Sequence, residues 1–133
     1  CPAGAPRTIR RHDMKYMLLI YNNPASYEAW TEDQRTALFS EVDALMKELR
    51  ETGELVGGEG LADPSTTKTV RVRDGIPAIT DGPFAEVKEQ FAGYITVDCE
   101  SVERAAEIAA RWPDARYFAM EVRAIMHTTS VEL

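Results

Sequence analysis

Between Thr80 and Tyr94 the chain reads TDGPFAEVKEQFAGY. A tight turn, Asp81-Gly82-Pro83, leads into a lone aromatic, Phe84, and then into three charges, Glu86, Lys88 and Glu89. A carboxylate held by a Gly-Pro turn at a cleft can orient a proton or hold a polar ligand, which makes Asp81 a candidate base. Its competing role is local, an Asx turn closed on its own backbone. Glu86 and Lys88 are alternate residues, so in an extended segment they point the same way. A carboxylate beside an ammonium is easier to ionise, and the ammonium holds its proton harder, which suits binding more than base chemistry. As a plain surface ion pair the two contribute only about 0–1 kcal/mol. The turn positions Phe84, and Glu89 completes the charged lip. Glu59 and Tyr21 are candidates for the same cleft, reaching it from neighbouring strands.

Other chemistries leave fewer traces. Gly57-Gly58-Glu59-Gly60 is followed by neither a helix start nor a Lys-Ser/Thr pair, so it is not a phosphate loop. Its glycines mark a bulge or a close approach of backbones. His127 has no second His or Cys at ligand spacing, which argues against a metal site. No Ser-His-Asp or Cys-His arrangement and no dinucleotide fingerprint is readable, so no cofactor is expected. Cys99 ends an apolar strand pattern and reads as a small buried hydrophobe. Two cysteines, Cys1 and Cys99, make no disulfide framework. With no secretory signal in view, the cytoplasm is the expected compartment.

The 133 residues suit one domain, which buries roughly two-thirds of its unfolded surface. A formal charge of -7 argues against nucleic acid as a partner, since phosphate binding needs clustered Lys and Arg. No apolar run approaches the ~18 residues of a membrane helix. Residues 1–13, rich in Pro, Gly and Arg and without periodicity, read as an extension; residues 14–133 form the domain.

The elements that must position these residues follow from periodicity. KYMLLIY (15–21) is a continuous apolar run, a strand buried on both faces. NNPASYEAW is a polar link. Thr31 with Gln34 makes a capping box, Leu38, Val42, Leu45, Met46 and Leu49 share one helical face, and Gly53 ends a helix over 32–52. A glycine-loosened strand covers 54–61. TKTVRVR and IPAIT flank Asp74-Gly75 as a hairpin, with Pro77 indicating an edge. In the strand at 90–99, Phe91, Ile95, Val97 and Cys99 share one face and Tyr94 lies on the other. Ser101 caps a helix over 102–112, Pro113 stops it, and a last strand runs over 117–126 with Tyr117 facing away from the core. The order is β-α-β-β-α-β with an inserted hairpin, a ferredoxin-like α+β fold. Right-handed crossovers put both helices on one face of the sheet. The other face is too apolar to stand in water, and a second copy is the economical cover. A homodimer is expected, with a cleft between sheet and loops near its interface.

MKYMLLIY, GELVGGEGL, TVRVRDG and TDGPFAEVKEQFAGYITVD, in this order, resemble the YCII-related family in its DGPF-domain branch, from about Met14 to Met126. The resemblance implies a ferredoxin-like dimeric α/β barrel. It also implies a cleft that in YCII proteins holds a His–Asp pair, and in one branch removes halide from hydroxylated rings. The position that would carry that histidine, counted back from Gly53, is Val42, and no histidine lies between 13 and 126. The pair is therefore not carried over. A regulatory link to extracytoplasmic-function sigma factors is implied by the resemblance alone.

Two functions remain in view. One is a dimeric module that binds a small molecule in a cleft closed by the 81–89 loop. The other is an enzyme with Asp81 or Glu86 as base on a small aromatic or carbonyl substrate, which requires a buried carboxylate of raised pKa. A homodimer serving only protein contact ranks third.

Overall fold

The computed structural model describes residues 14–85 and 87–129. The extension read over 1–13, and Glu86, lie outside the described residues. Four strands, β1 (Lys15–Asn22), β2 (Leu55–Gly60), β5 (Gln90–Asp98) and β6 (Ala119–Ile125), form one sheet in the order β2-β5-β1-β6. All neighbouring pairs are antiparallel. The other two strands, β3 (Lys68–Arg73) and β4 (Ile76–Asp81), form a separate two-stranded sheet. This is the ferredoxin-like arrangement with an inserted hairpin. At the hairpin tip Asp74 and Gly75 have φ of 52° and 76°, the left-handed pair that a two-residue turn requires.

The long helix α2 (Glu32–Thr52) begins where the capping box places it. Gln34 N donates to Thr31 Oγ1 at 3.1 Å, and Thr31 N donates to Gln34 Oε1 at 2.8 Å. Gly53 ends the helix with φ 83°. Leu45 and Leu49 of α2 meet Leu18 and Val97 of the sheet and Ala105, Ile108 and Ala109 of α3 (Val102–Ala110) in one core. Leu18, Leu49 and Ile108 are fully buried, each contributing about 1.5–3 kcal/mol. Arg104 on α3 grips Glu54 through two hydrogen bonds, at 2.8 and 2.9 Å, and ties α3 to the link between α2 and β2.

Two short helices were not expected. Within the supposed polar link, Asn23 accepts from Ala25 N at 3.0 Å and caps α1 (Pro24–Ala29). Pro113 does not merely stop α3. It opens α4 (Pro113–Tyr117), where a missing N–H leaves nothing unsatisfied. The last strand therefore starts later than expected, and Tyr117 leaves the sheet to pack on Trp30 with ring centroids 5.1 Å apart.

Both long helices lie on one face of the sheet, over Tyr16, Leu18, Ile95 and Val97. The alternate residues Met17, Leu19, Tyr21, Tyr94 and Thr96 face the other way and stay half-buried. Phe91 joins them, against expectation. Tyr21 pairs with Phe91 while Ile20 pairs with Gly93, so Ala92 is an extra residue. This bulge swings Phe91 to within 5.7 Å of the Tyr21 ring. No helix among the described residues is long and apolar enough to cross a membrane.

Candidate functional site

A cavity of about 600 Å3 opens between α2, the β2-β5-β1 side of the sheet and the segment Leu61–Pro64. Its floor is apolar, from Ile20, Val42, Met46, Ile95 and Trp112. The glycines of β2 and β5 make its far wall almost pure backbone. Gly58 and Gly93 stand where a Cβ would lie 2.4 Å from Tyr94 O and 2.5 Å from Glu59 O, respectively. Here the glycine-rich strand does what its sequence suggested, which is to bring two backbones close.

The polar end is built by the two short helices. Asn23 and Pro24 turn the chain at the end of β1, and α1 delivers Tyr27 onto Phe39 of α2, ring centroids 6.0 Å apart. Pro113 starts α4 and sets Asp114 in its first turn. Asn22 Nδ2 donates to Asp114 Oδ2 at 3.4 Å, tying the end of β1 to α4. Burial pushes the Asp114 carboxyl above its ordinary value, only partly offset by the Asn22 hydrogen bond and by its own backbone N–H. No Lys or Arg pairs with it among the described residues. The Tyr27 phenol is also raised, first by burial, with Arg35 opposing and Asp114 adding.

Asp114 thus binds its proton more tightly in the folded chain than in the unfolded one. Its stabilising contribution is whole below the ordinary value of 3.8 and is lost as pH rises through the higher folded value. Asp114→Asn removes that loss. In urea unfolding at a series of pH values, the variant should gain on the unmodified protein as pH climbs from 3.8. A difference that does not vary with pH would remove Asp114 from the buried, strained end of the cavity.

Of the residues singled out in the sequence, Glu59 lines this cavity, and its carboxylate accepts the Tyr94 hydroxyl on the open face of the sheet. That contact raises the Tyr94 phenol pKa. Tyr21 is not its neighbour, because β5 runs between β1 and β2. The Tyr21 hydroxyl donates instead to Glu121 Oε1 at 2.6 Å on the open face, which raises the phenol. Asp81 ends β4 with its side chain 83% exposed and takes Lys68 across the hairpin, rather than closing an Asx turn. Phe84 is exposed, with the Arg71 guanidinium 4.8 Å from its ring centre. Lys88 and Glu89 are exposed, and neither they nor Asp81 or Phe84 line the cavity. The loop is nonetheless fastened at the cavity edge, since the lining residue Gln90 donates to Val87 O at 2.6 Å and Ala85 O at 3.3 Å.

Asn22, Tyr27 and Asp114 were not foreseen. The signals were present, an Asn-Pro helix start and an Asp directly after the proline that opens a helix. What the sequence withheld is that these two turns, some 90 residues apart, meet. No group of three His, Cys, Asp or Glu able to hold a metal occurs among the described residues.

An uncharacterized protein of Rhizobium meliloti (strain 1021) is 31% identical over 96 residues, an overlap of 72% of this chain and 77% of that one. The model of the YCII-related domain matches residues 14–129, the span from the first residue of the sheet region to just past β6. A match of that extent covers every strand of the sheet and every wall of the cavity, and by it the chain belongs to the YCII-related family.

Proposed function

We propose that this protein is a homodimeric, cytoplasmic module that binds a small molecule in the cavity between α2, the sheet and Leu61–Pro64. The observation that carries this reading is the cavity itself. Its volume of about 600 Å3 falls in the range of small-molecule sites, and it combines an apolar floor with a few convergent polar groups, Asn22, Tyr27 and Asp114. The half-buried open face of the sheet supports the dimer, and the buried unpaired thiol of Cys99 suits a reducing compartment. The regulatory role implied by the DGPF-branch resemblance fits a binding module that turns nothing over.

Catalysis is the second reading, and one observation favours it. Asp114 is a carboxyl of raised pKa inside a cleft, the property a general acid or base needs. Asp81 serves that reading less well, because it stands in solvent paired with Lys68.

A thermal-shift screen of small aromatic and amine metabolites tests the binding reading. A ligand at a hundred times its Kd adds about 2.7 kcal/mol, a rise in Tm of roughly 8–10 °C for a domain of this size. Val42→Trp, which fills the floor, should abolish the shift, and Lys88→Met should leave it intact. The reverse pattern would move the site to the 81–89 loop and end the cavity reading.

A further inference from the structure

The charges around the cavity are all of one sign. Among the described residues Glu28, Glu59, Asp63 and Asp114 line it and no Lys, Arg or His does, the Glu59 carboxylate turning to Tyr94 on the open face. The Arg35 guanidinium, close to the lining residue Tyr27, is engaged by the carbonyls of Tyr27 and Glu28 at 3.4 Å each. Two of the four carboxylates already have partners within the chain. Asp63 accepts from Ser65 N at 2.9 Å, and Glu59 accepts from Tyr94. Asp114 accepts from the amide of Asn22, at 3.4 Å, and from its own backbone N–H, and no cation pairs with it among the described residues. Three aromatic residues on the helix side of the sheet, Tyr27, Phe39 and Trp112, line the same space.

An anionic ligand would meet the carboxylates of Glu28, Asp63 and Asp114 with no counter-charge among the described lining residues. A neutral one would leave the half-buried Asp114 carboxylate without a counter-charge. A bare metal ion finds no triad of ligands among the described residues. A protonated amine on an apolar body satisfies every wall. Its ammonium pairs with Asp114, its body covers the apolar floor, and the electron-rich ring faces add cation–π attraction.

Resting on the cavity being the binding site, we propose that its ligand class is the organic cation: an ammonium group, carried on an aromatic or aliphatic body, docked against Asp114. Asp63 at the Leu61–Pro64 rim and Glu28 on α1 raise the local concentration of cations at the cavity. The ammonium then settles at the deepest carboxylate.

Three probes of one shape separate charge from fit: phenethylammonium, phenethyl alcohol and hydrocinnamate. Binding is read by methyl chemical shifts of Ile20, Val42 and Met46 on the intact chain. Phenethylammonium should bind at least about tenfold tighter than either of the others, the worth of one charge-assisted hydrogen bond. Asp114→Asn should erase that preference and leave phenethyl alcohol unchanged. Glu28→Gln, at an exposed position that does not threaten folding, should reduce it about twofold. If hydrocinnamate or the alcohol binds as tightly as the amine, the cation assignment is wrong while the cavity remains the site. If none of the three moves these methyl signals, both the assignment and the cavity reading fall.

Discussion

Replacing Gly93 with valine is expected to destabilise the domain by about 3 kcal/mol, lowering Tm on the order of 10 °C. The reason is backbone against backbone. A Cβ at Gly93 would stand 2.5 Å from Glu59 O and 3.0 Å from Gly60 Cα. No rotamer change relieves such a contact, because neither atom belongs to a side chain. Relief requires β2 to move away from β5, which breaks the pairing of Gly58 with Ile95 and Glu59 with Tyr94. Gly93 also has φ of 159°, at the margin of what a branched side chain adopts.

The same strand supplies the control. A Cβ at Gly57 or Gly60 meets nothing within 4 Å. Gly57→Ala and Gly60→Ala should therefore leave stability unchanged or raise it by about 0.4–1 kcal/mol, through a less free unfolded chain. Urea or thermal unfolding of the three variants side by side decides the matter. Equal effects would mean that the glycines serve strand flexibility in general and not one close approach. Because Gly58, Gly60 and Gly93 all line the cavity, the Gly93 variant should also lose ligand, whereas the Gly57 variant should keep it.

How far the sequence could lead is visible in these same residues. Periodicity placed α2 and α3, since each carries an apolar face whose spacing is dictated by helix geometry, and β1 was legible as a continuous apolar run. The capping box and Gly53 fixed both ends of α2 because caps are local chemistry. Asp74-Gly75 announced the hairpin for the same reason. What escaped was non-local. The Ala92 bulge, which sends Phe91 to the open face, exists only in the pairing of β5 with β1. The helices α1 and α4 are too short to show a period, so Asn23 and Pro113 were read as a link and a stop. Of the candidate site, Glu59 was legible as an acid among glycines. Asn22, Tyr27 and Asp114 were not, because the site is made by folding two turns together. The charged loop at 81–89 drew attention for its density of chemistry, yet its described charges stand in water beside the cavity's edge.

The largest change in assembly is expected from Leu19→Glu. Leu19 lies in the middle of the open face, paired with Tyr94 on one side and Glu121 on the other. Met17 and Tyr21 flank it along β1, and the Phe91 ring lies tilted against that of Tyr21. In a two-fold dimer formed by this face the substitution enters twice. Each buried carboxylate without a partner costs about 3 kcal/mol or more, so the pair weakens association by about 6 kcal/mol, a Kd roughly ten-thousandfold higher. Glu121 beside it adds like-charge repulsion. The helix-side core does not include Leu19, so the protomer should fold with an unchanged far-ultraviolet spectrum. Light scattering on the unmodified protein should give twice the chain mass of 14.9 kDa, and on the variant a single chain. A dimer that survives Leu19→Glu would have to use another surface, and the exposed apolar side of the β3–β4 hairpin, with Val70, Val72 and Ile79 each at least 60% exposed, would be the one to vary next. An unmodified protein that stays monomeric at micromolar concentration would mean that a half-buried row of Met17, Leu19 and Tyr21 is tolerable in water, and the physical reason for expecting a second copy would be gone.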